Sequence, residues 1–232
     1  MLYLSAGAAC SGSSGLFVFI FYFREKIFPV VLIKNTWYSE TVFHVPEVLP
    51  LQKCSHKLLA SSLLRSQHGF GARRYELAFL FGSFQPDCNP FTYLRGIRST
   101  HKLQGHNFTN SQSYINSRIQ KLQNRRNWTL LQYYTLGKLT HYLADAFTFP
   151  HNENYPYTMA DHCRYENALR LKLAEHLSRH ELHQKKLRQD LTDAIDQLHR
   201  QYMDSKNSLE QDIRYILEAT ALLMAGCSPH SA

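Results

Sequence analysis

The sequence predicts an all-α protein, a bundle of several helices packed on one another. Three observations carry that expectation. Beyond Pro50, apolar residues recur at three- and four-residue spacing almost throughout. Strand-like alternation is confined to the first 49 residues. Hydrophobic residues make up 44% of the 232 and charged residues 19%, which is too apolar for a disordered chain and too interrupted by charge for a polytopic membrane protein.

The first 49 residues form a separate region. Arg24, Lys26 and Lys34 cancel Glu25, Glu40 and Glu47 there, so the net charge of +8 belongs to residues 50–232. The apolar runs 16–23 and 27–33 are split by Arg24-Glu25-Lys26, and neither reaches the ~20 residues of a membrane-spanning helix. No Lys or Arg precedes them in Met1 to Gly15, unlike a secretory signal. The segment reads as an interfacial anchor, an extension, or upstream sequence joined by a misplaced start; the abrupt change near Pro50 favours the last. The chain is expected to be cytoplasmic or membrane-peripheral.

From Pro50 the helices follow in order. Ser55 is expected to cap a first helix carrying Leu58, Leu59, Leu63 and Leu64, with Gly69 and Gly71 ending it. A short segment from Tyr75 to Phe81 precedes a turn-rich stretch, Gly82 to Pro90, and an irregular basic stretch to about Asn110. Tyr114, Ile115, Ile119 and Leu122 mark a third helix, and 128–147 a fourth. A loop at 157–161 leads into one long amphipathic stretch from His162 through Leu198, and 209–224 closes the bundle before Gly226 and Pro229.

Composition narrows the chemistry. The 13 histidines are numerous for this length and point to metal or proton chemistry. Five cysteines, odd in number and without a C-x-x-C pair, support neither a disulfide framework nor a cysteine-rich zinc site. The positive charge admits phosphate-bearing partners, whether nucleic acid or lipid head groups.

His141 and Asp145, four apart on a helix, project from one face. His151 follows Pro150, and His162 and Glu166 repeat the four-residue spacing. One such pair alone is usually a surface hydrogen bond. Two pairs joined by a Pro-His turn and flanked by Leu139, Tyr142 and Leu143 place ionisable groups where burial without a metal is costly. The set H-x3-D-x5-H-x10-H-x3-E offers nitrogen and oxygen donors suited to zinc, with room for two sites if further ligands arrive. His176, His180, His183 and His199, in a stretch rich in Lys and Arg, are expected at the solvated surface, as are Lys185, Lys186 and Arg188.

The block His141-Tyr-Leu-Ala-Asp145, Pro150-His151 and His162-x-x-Tyr165-Glu166 resembles the zinc-dependent phospholipase C family, which shares its fold and metal site with the S1/P1 nucleases. Pro86-Asp87-Cys88-Asn89-Pro90 resembles the family's aspartate segment, Gly105-His106-Asn107-Phe108 its next histidine, and Ser55-His56 its first. The resemblance spans about His56 to Leu177. It implies an all-α bundle with a metal site between helices. One zinc would be held by Asp87, His106, His141 and Asp145, and a second by His151, His162 and Glu166. His101 competes for the place of His106, which the Gly-His-Asn-Phe context favours. In the family a third zinc lies beside the first, bridged by the carboxylate matching Asp145 and bound by the histidine matching His56 and by the mature N-terminal residue. Trp37 supplies that amine only if the chain is cleaved just before it, so the third ion is left open.

The resemblance also assigns Asp87 to orient or deprotonate the attacking water. The expected activity is hydrolysis of a phosphodiester, foremost a phospholipid, with peripheral contact at a membrane surface. The rival readings are a nuclease acting on single-stranded nucleic acid and a non-catalytic helical zinc-binding protein.

Overall fold

The computed structural model describes residues 17–23, 26–32, 51–88, 108–182, 186–187 and 189–227. The chain divides into two units, Met1–Pro46 and Glu47–Ala232. In the first, β1 (Phe17–Phe23) and β2 (Lys26–Leu32) pair antiparallel, with Phe17 opposite Leu32 and Phe23 opposite Lys26. The charged Arg24-Glu25 step that splits the two apolar runs lies between these strands.

The second unit is all-α. Its helices are α1 (Leu51–Ser66), α2 (Arg73–Cys88), α3 (Phe108–Gln123), α4 (Leu130–Ala146), α5 (Met159–Arg179), α6 (Leu191–Met203) and α7 (Leu209–Gly226). Helix α4 is the centre of the bundle and packs against α1, α2, α3 and α7. From Leu139 to Ala146 every residue of it is buried. Such a helix is apolar on nearly all sides, and the polar side chains it carries inward need partners. Thr129 caps its start, accepting from Leu131 N–H while Gln132 reaches back to the Thr129 N–H, so the exposed N-terminal turn is held without tertiary help.

Four expectations are corrected. Helix α1 starts at Leu51, so Ser55 lies within its first turns and does not cap it. Helix α2 does not stop at Gly82; it continues through Gly82 and Pro86 to Cys88. The reason is a close crossing with α4. A Cβ on Gly82 would stand 2.2 Å from the Tyr134 carbonyl oxygen, and one on Gly137 would stand 2.1 Å from the Phe79 carbonyl oxygen. The glycines therefore serve helix contact here and do not mark a turn. The long stretch expected after His162 is two helices. Thr158 caps α5 with Asp161 in a capping box, so α5 opens inside the expected loop; it ends at Arg179, and Asp190 caps α6 by accepting from Thr192 and Asp193 N–H. Finally, His199 is buried, because it falls with Ile195, Leu198 and Tyr202 on the inward face of α6. His176 and His180 stack on each other at the exposed end of α5; His183, Lys185 and Arg188 lie outside the described residues.

Candidate metal centre

The glycine crossing of α2 and α4 brings Asp87, near the end of α2, against His141 and Asp145 on α4. His141 Nε2 lies 3.5 Å from Asp87 Oδ1 and 3.2 Å from Asp145 Oδ2. His56, from α1, enters the same place: its Nε2 is 3.2 Å from Asp145 Oδ1 and 3.8 Å from Asp87 Oδ2, and its ring centroid is 4.0 Å from that of His141. The His141 ring is oriented from behind. Its Nδ1–H donates to the Ser83 carbonyl on α2 at 3.0 Å, which leaves the lone pair of the neutral ring on Nε2, facing the carboxylates. Asp87 Oδ2 is buried and has no hydrogen-bond partner among the described residues.

The second group lies where α4 ends. A short 3-10 turn, Phe149–His151, follows, with Pro150 in its first positions. It delivers His151 to α5, whose first turns carry His162 and Glu166. Glu166 Oε1 is shared by His151 Nε2 at 3.1 Å and His162 Nε2 at 2.6 Å, and the two imidazoles meet edge to face at 4.9 Å. Burial alone would raise the Glu166 carboxyl and lower His151. The hydrogen bonds from the two histidines overcome the first effect and hold Glu166 at about 2. The negative charge of Asp145, Glu166 and Asp87 overcomes the second and lifts His151 to about 9.

Asp145 thus acts electrostatically on His151, and a small cavity joins the groups. His56, Asp145, His151 and Glu166 line it together with the aliphatic side chains of Leu59, Leu169, Leu173 and Ile216. The donor sets fit divalent cations. Ligand atoms of His56, His141 and Asp145 all lie within 4.8 Å of one another, as do those of His151, His162 and Glu166. A tetrahedral ion with bonds of about 2.1 Å separates its donors by roughly 3.4 Å, close to the contacts of His141 and His56 with the carboxylates. Imidazole and carboxylate without thiolate suit zinc. The structure brings together His56, Asp87, His141 and Asp145, and separately His151, His162 and Glu166. His106, its competitor His101, and Trp37 lie outside the described residues.

Several supporting residues escaped the sequence reading. Asn152 donates through Nδ2 to the carbonyls of Ala146 and Thr148, closing the turn that carries His151. His199 Nε2–H donates to Asn152 Oδ1 at 3.1 Å, and its ring stacks on Phe108. Burial lowers this imidazole to about 4, keeping it neutral. Its spacing from Ile195 and Tyr202 was a legible signal of an inward position. Asp212 on α7 had no such signal: a single acid in the first turn of a helix is common at the surface.

No curated protein and no solved structure matches this chain. Residues 55–209 match the family described as zinc dependent phospholipase C. The matched span begins beside His56 and takes in every histidine, aspartate and glutamate ligand candidate named above, but not Trp37. With its helical bundle and its two groups of zinc-type donors on one cavity, the chain belongs to the zinc-dependent phospholipase C family.

Proposed function

We propose that this chain is a zinc-dependent phosphodiester hydrolase that cleaves the head group from a phospholipid. The observation that carries the reading is that two clustered donor groups, His56, His141 and Asp145 with Asp87 beside them and His151, His162 and Glu166, meet at one cavity, which His56 and Asp145 line from the first group and His151 and Glu166 from the second. His56, His141 and Asp145 would hold one ion, with Asp87 beside them; His151, His162 and Glu166 would hold another. Zinc bound at these groups supplies Lewis acidity at neutral pH, lowering the pKa of water and offsetting charge on the phosphoryl oxygens.

The residues have distinct tasks. Asp87 Oδ2, a buried acceptor 3.8 Å from His56 Nε2, would orient a water and take its proton. The water oxygen would form the new bond to phosphorus as the bond from phosphorus to the glycerol oxygen breaks, and the leaving oxygen would take up one proton, equivalent to the one Asp87 accepts from the water and returns through solvent, to become the hydroxyl of diacylglycerol. Asp145 faces His141 and His56 with separate oxygens, fixing both rings. The aliphatic wall of Leu59, Leu169, Leu173 and Ile216 limits water in the cavity and offers an apolar surface to a lipid.

Purified protein reconstituted with zinc, assayed on phosphatidylcholine, a generic phosphodiester and single-stranded DNA, tests the reading. Release of phosphocholine with little DNA cleavage is expected. Preferred cleavage of DNA would transfer the chain to the nuclease class, and zinc retention without turnover on any substrate would make it a binding protein.

A further inference from the structure

The group formed by His151, His162 and Glu166 is tied to a residue beyond the family match. Asp212 on α7 has no exposed surface. Its Oδ2 accepts from the Phe149 N–H at 3.0 Å and from Tyr165 Oη–H at 2.9 Å, while Oδ1 accepts from Tyr202 Oη–H at 2.8 Å. Two of these donors belong to the segments that deliver the ligands. Phe149 opens the 3-10 turn that ends at His151, and Tyr165 directly precedes Glu166 on α5. One carboxylate oxygen therefore clasps the turn to the helix, and the other anchors the clasp to the core through Tyr202 on α6.

A buried carboxylate is stabilising only when its hydrogen bonds are complete, and a neutral amide cannot accept all three because one of its two polar atoms donates. We propose that Asp212 is a positioning residue for the second metal group, holding His151 and Glu166 at the separation an ion requires. The proposal rests on the reading of His151, His162 and Glu166 as ligands. A partner behind the ligands typically changes metal affinity 10- to 100-fold.

Competition with a chelator on the full chain measures each zinc affinity, and amide exchange of the metal-free protein reads the clasp without any ion. Asp212→Asn is expected to weaken one zinc equivalent about 10- to 100-fold, leave the other unchanged, and speed exchange at the Phe149 amide. Tyr165→Phe, which removes one strand of the clasp and keeps the carboxylate, is expected to weaken the same equivalent several-fold, and it carries the test if Asp212→Asn does not fold. Tyr202→Phe removes only the core anchor, so it lowers stability with little change in zinc affinity. Wild-type zinc binding in folded Asp212→Asn or Tyr165→Phe overturns the proposal. So does an equal loss in Tyr202→Phe, since Asp212 would then act through general stability. If His162→Ala leaves the zinc content of the chain unchanged, the ligand reading itself fails and the proposal fails with it, whatever the Asp212 variants do.

Discussion

His141 shows how one residue joins fold and chemistry. It occupies a fully buried position on α4, donates through Nδ1 to the Ser83 carbonyl, and presents Nε2 to two carboxylates. The i, i+4 relation to Asp145 was legible in the sequence because helical spacing fixes which side chains share a face. The contact with Ser83 was not, since it depends on how closely α2 approaches. Asp87 belongs to the same place, and Asp87→Asn is expected to lower turnover on a phosphodiester about 10²- to 10⁴-fold; a rate within twofold of wild type would remove its role as base. His199 makes a prediction about pH. Its imidazole, lowered to about 4 by burial, takes a proton far less readily in the folded chain than at the ordinary 6.5 of the unfolded one. Its contribution is therefore complete above pH 6.5 and declines as pH falls toward 4, by about 3 kcal/mol across the window. Urea unfolding should show that His199→Gln, which keeps a donor for Asn152 but cannot titrate, loses less stability between pH 7 and 4.5 than wild type. Equal losses would contradict the assignment.

At the scale of elements, the apolar periodicity located α3, α4 and α7 closely, because each buries a regular face or, for α4, nearly its whole surface. It failed where one residue type serves two purposes. Gly82 and Pro86 ordinarily end helices, yet here they lie inside α2. The missing Cβ of Gly82 admits α4, an advantage that a single sequence does not reveal. Gly137→Ala is the corresponding test. Its methyl group would meet the Phe79 carbonyl oxygen at 2.1 Å, backbone that cannot swing aside. The expected destabilisation is about 1–3 kcal/mol in urea unfolding, together with weaker zinc binding at the group that Asp87 adjoins. Wild-type stability would mean that the crossing has slack. The break between α5 and α6 was missed for a related reason: leucines from Leu169 to Leu198 keep near-helical register across it, while the restart depends on the side chain of Asp190 as cap.

For the whole molecule, the unit Glu47–Ala232 contains every described ligand candidate. Deleting residues 1–49 is expected to leave cooperative unfolding and zinc binding intact; an insoluble or zinc-free product would show that the segment completes the fold. No helix among the described residues is long and apolar enough to cross a membrane. The proposed function requires that α1, α2, α4 and α5 fold around two groups that hold divalent cations. Elemental analysis of wild type, His141→Ala, His162→Ala and the double variant tests it most directly. At least two zinc ions per wild-type chain, the loss of one in each single variant and of both in the double variant are expected; zinc content indifferent to all three would contradict it.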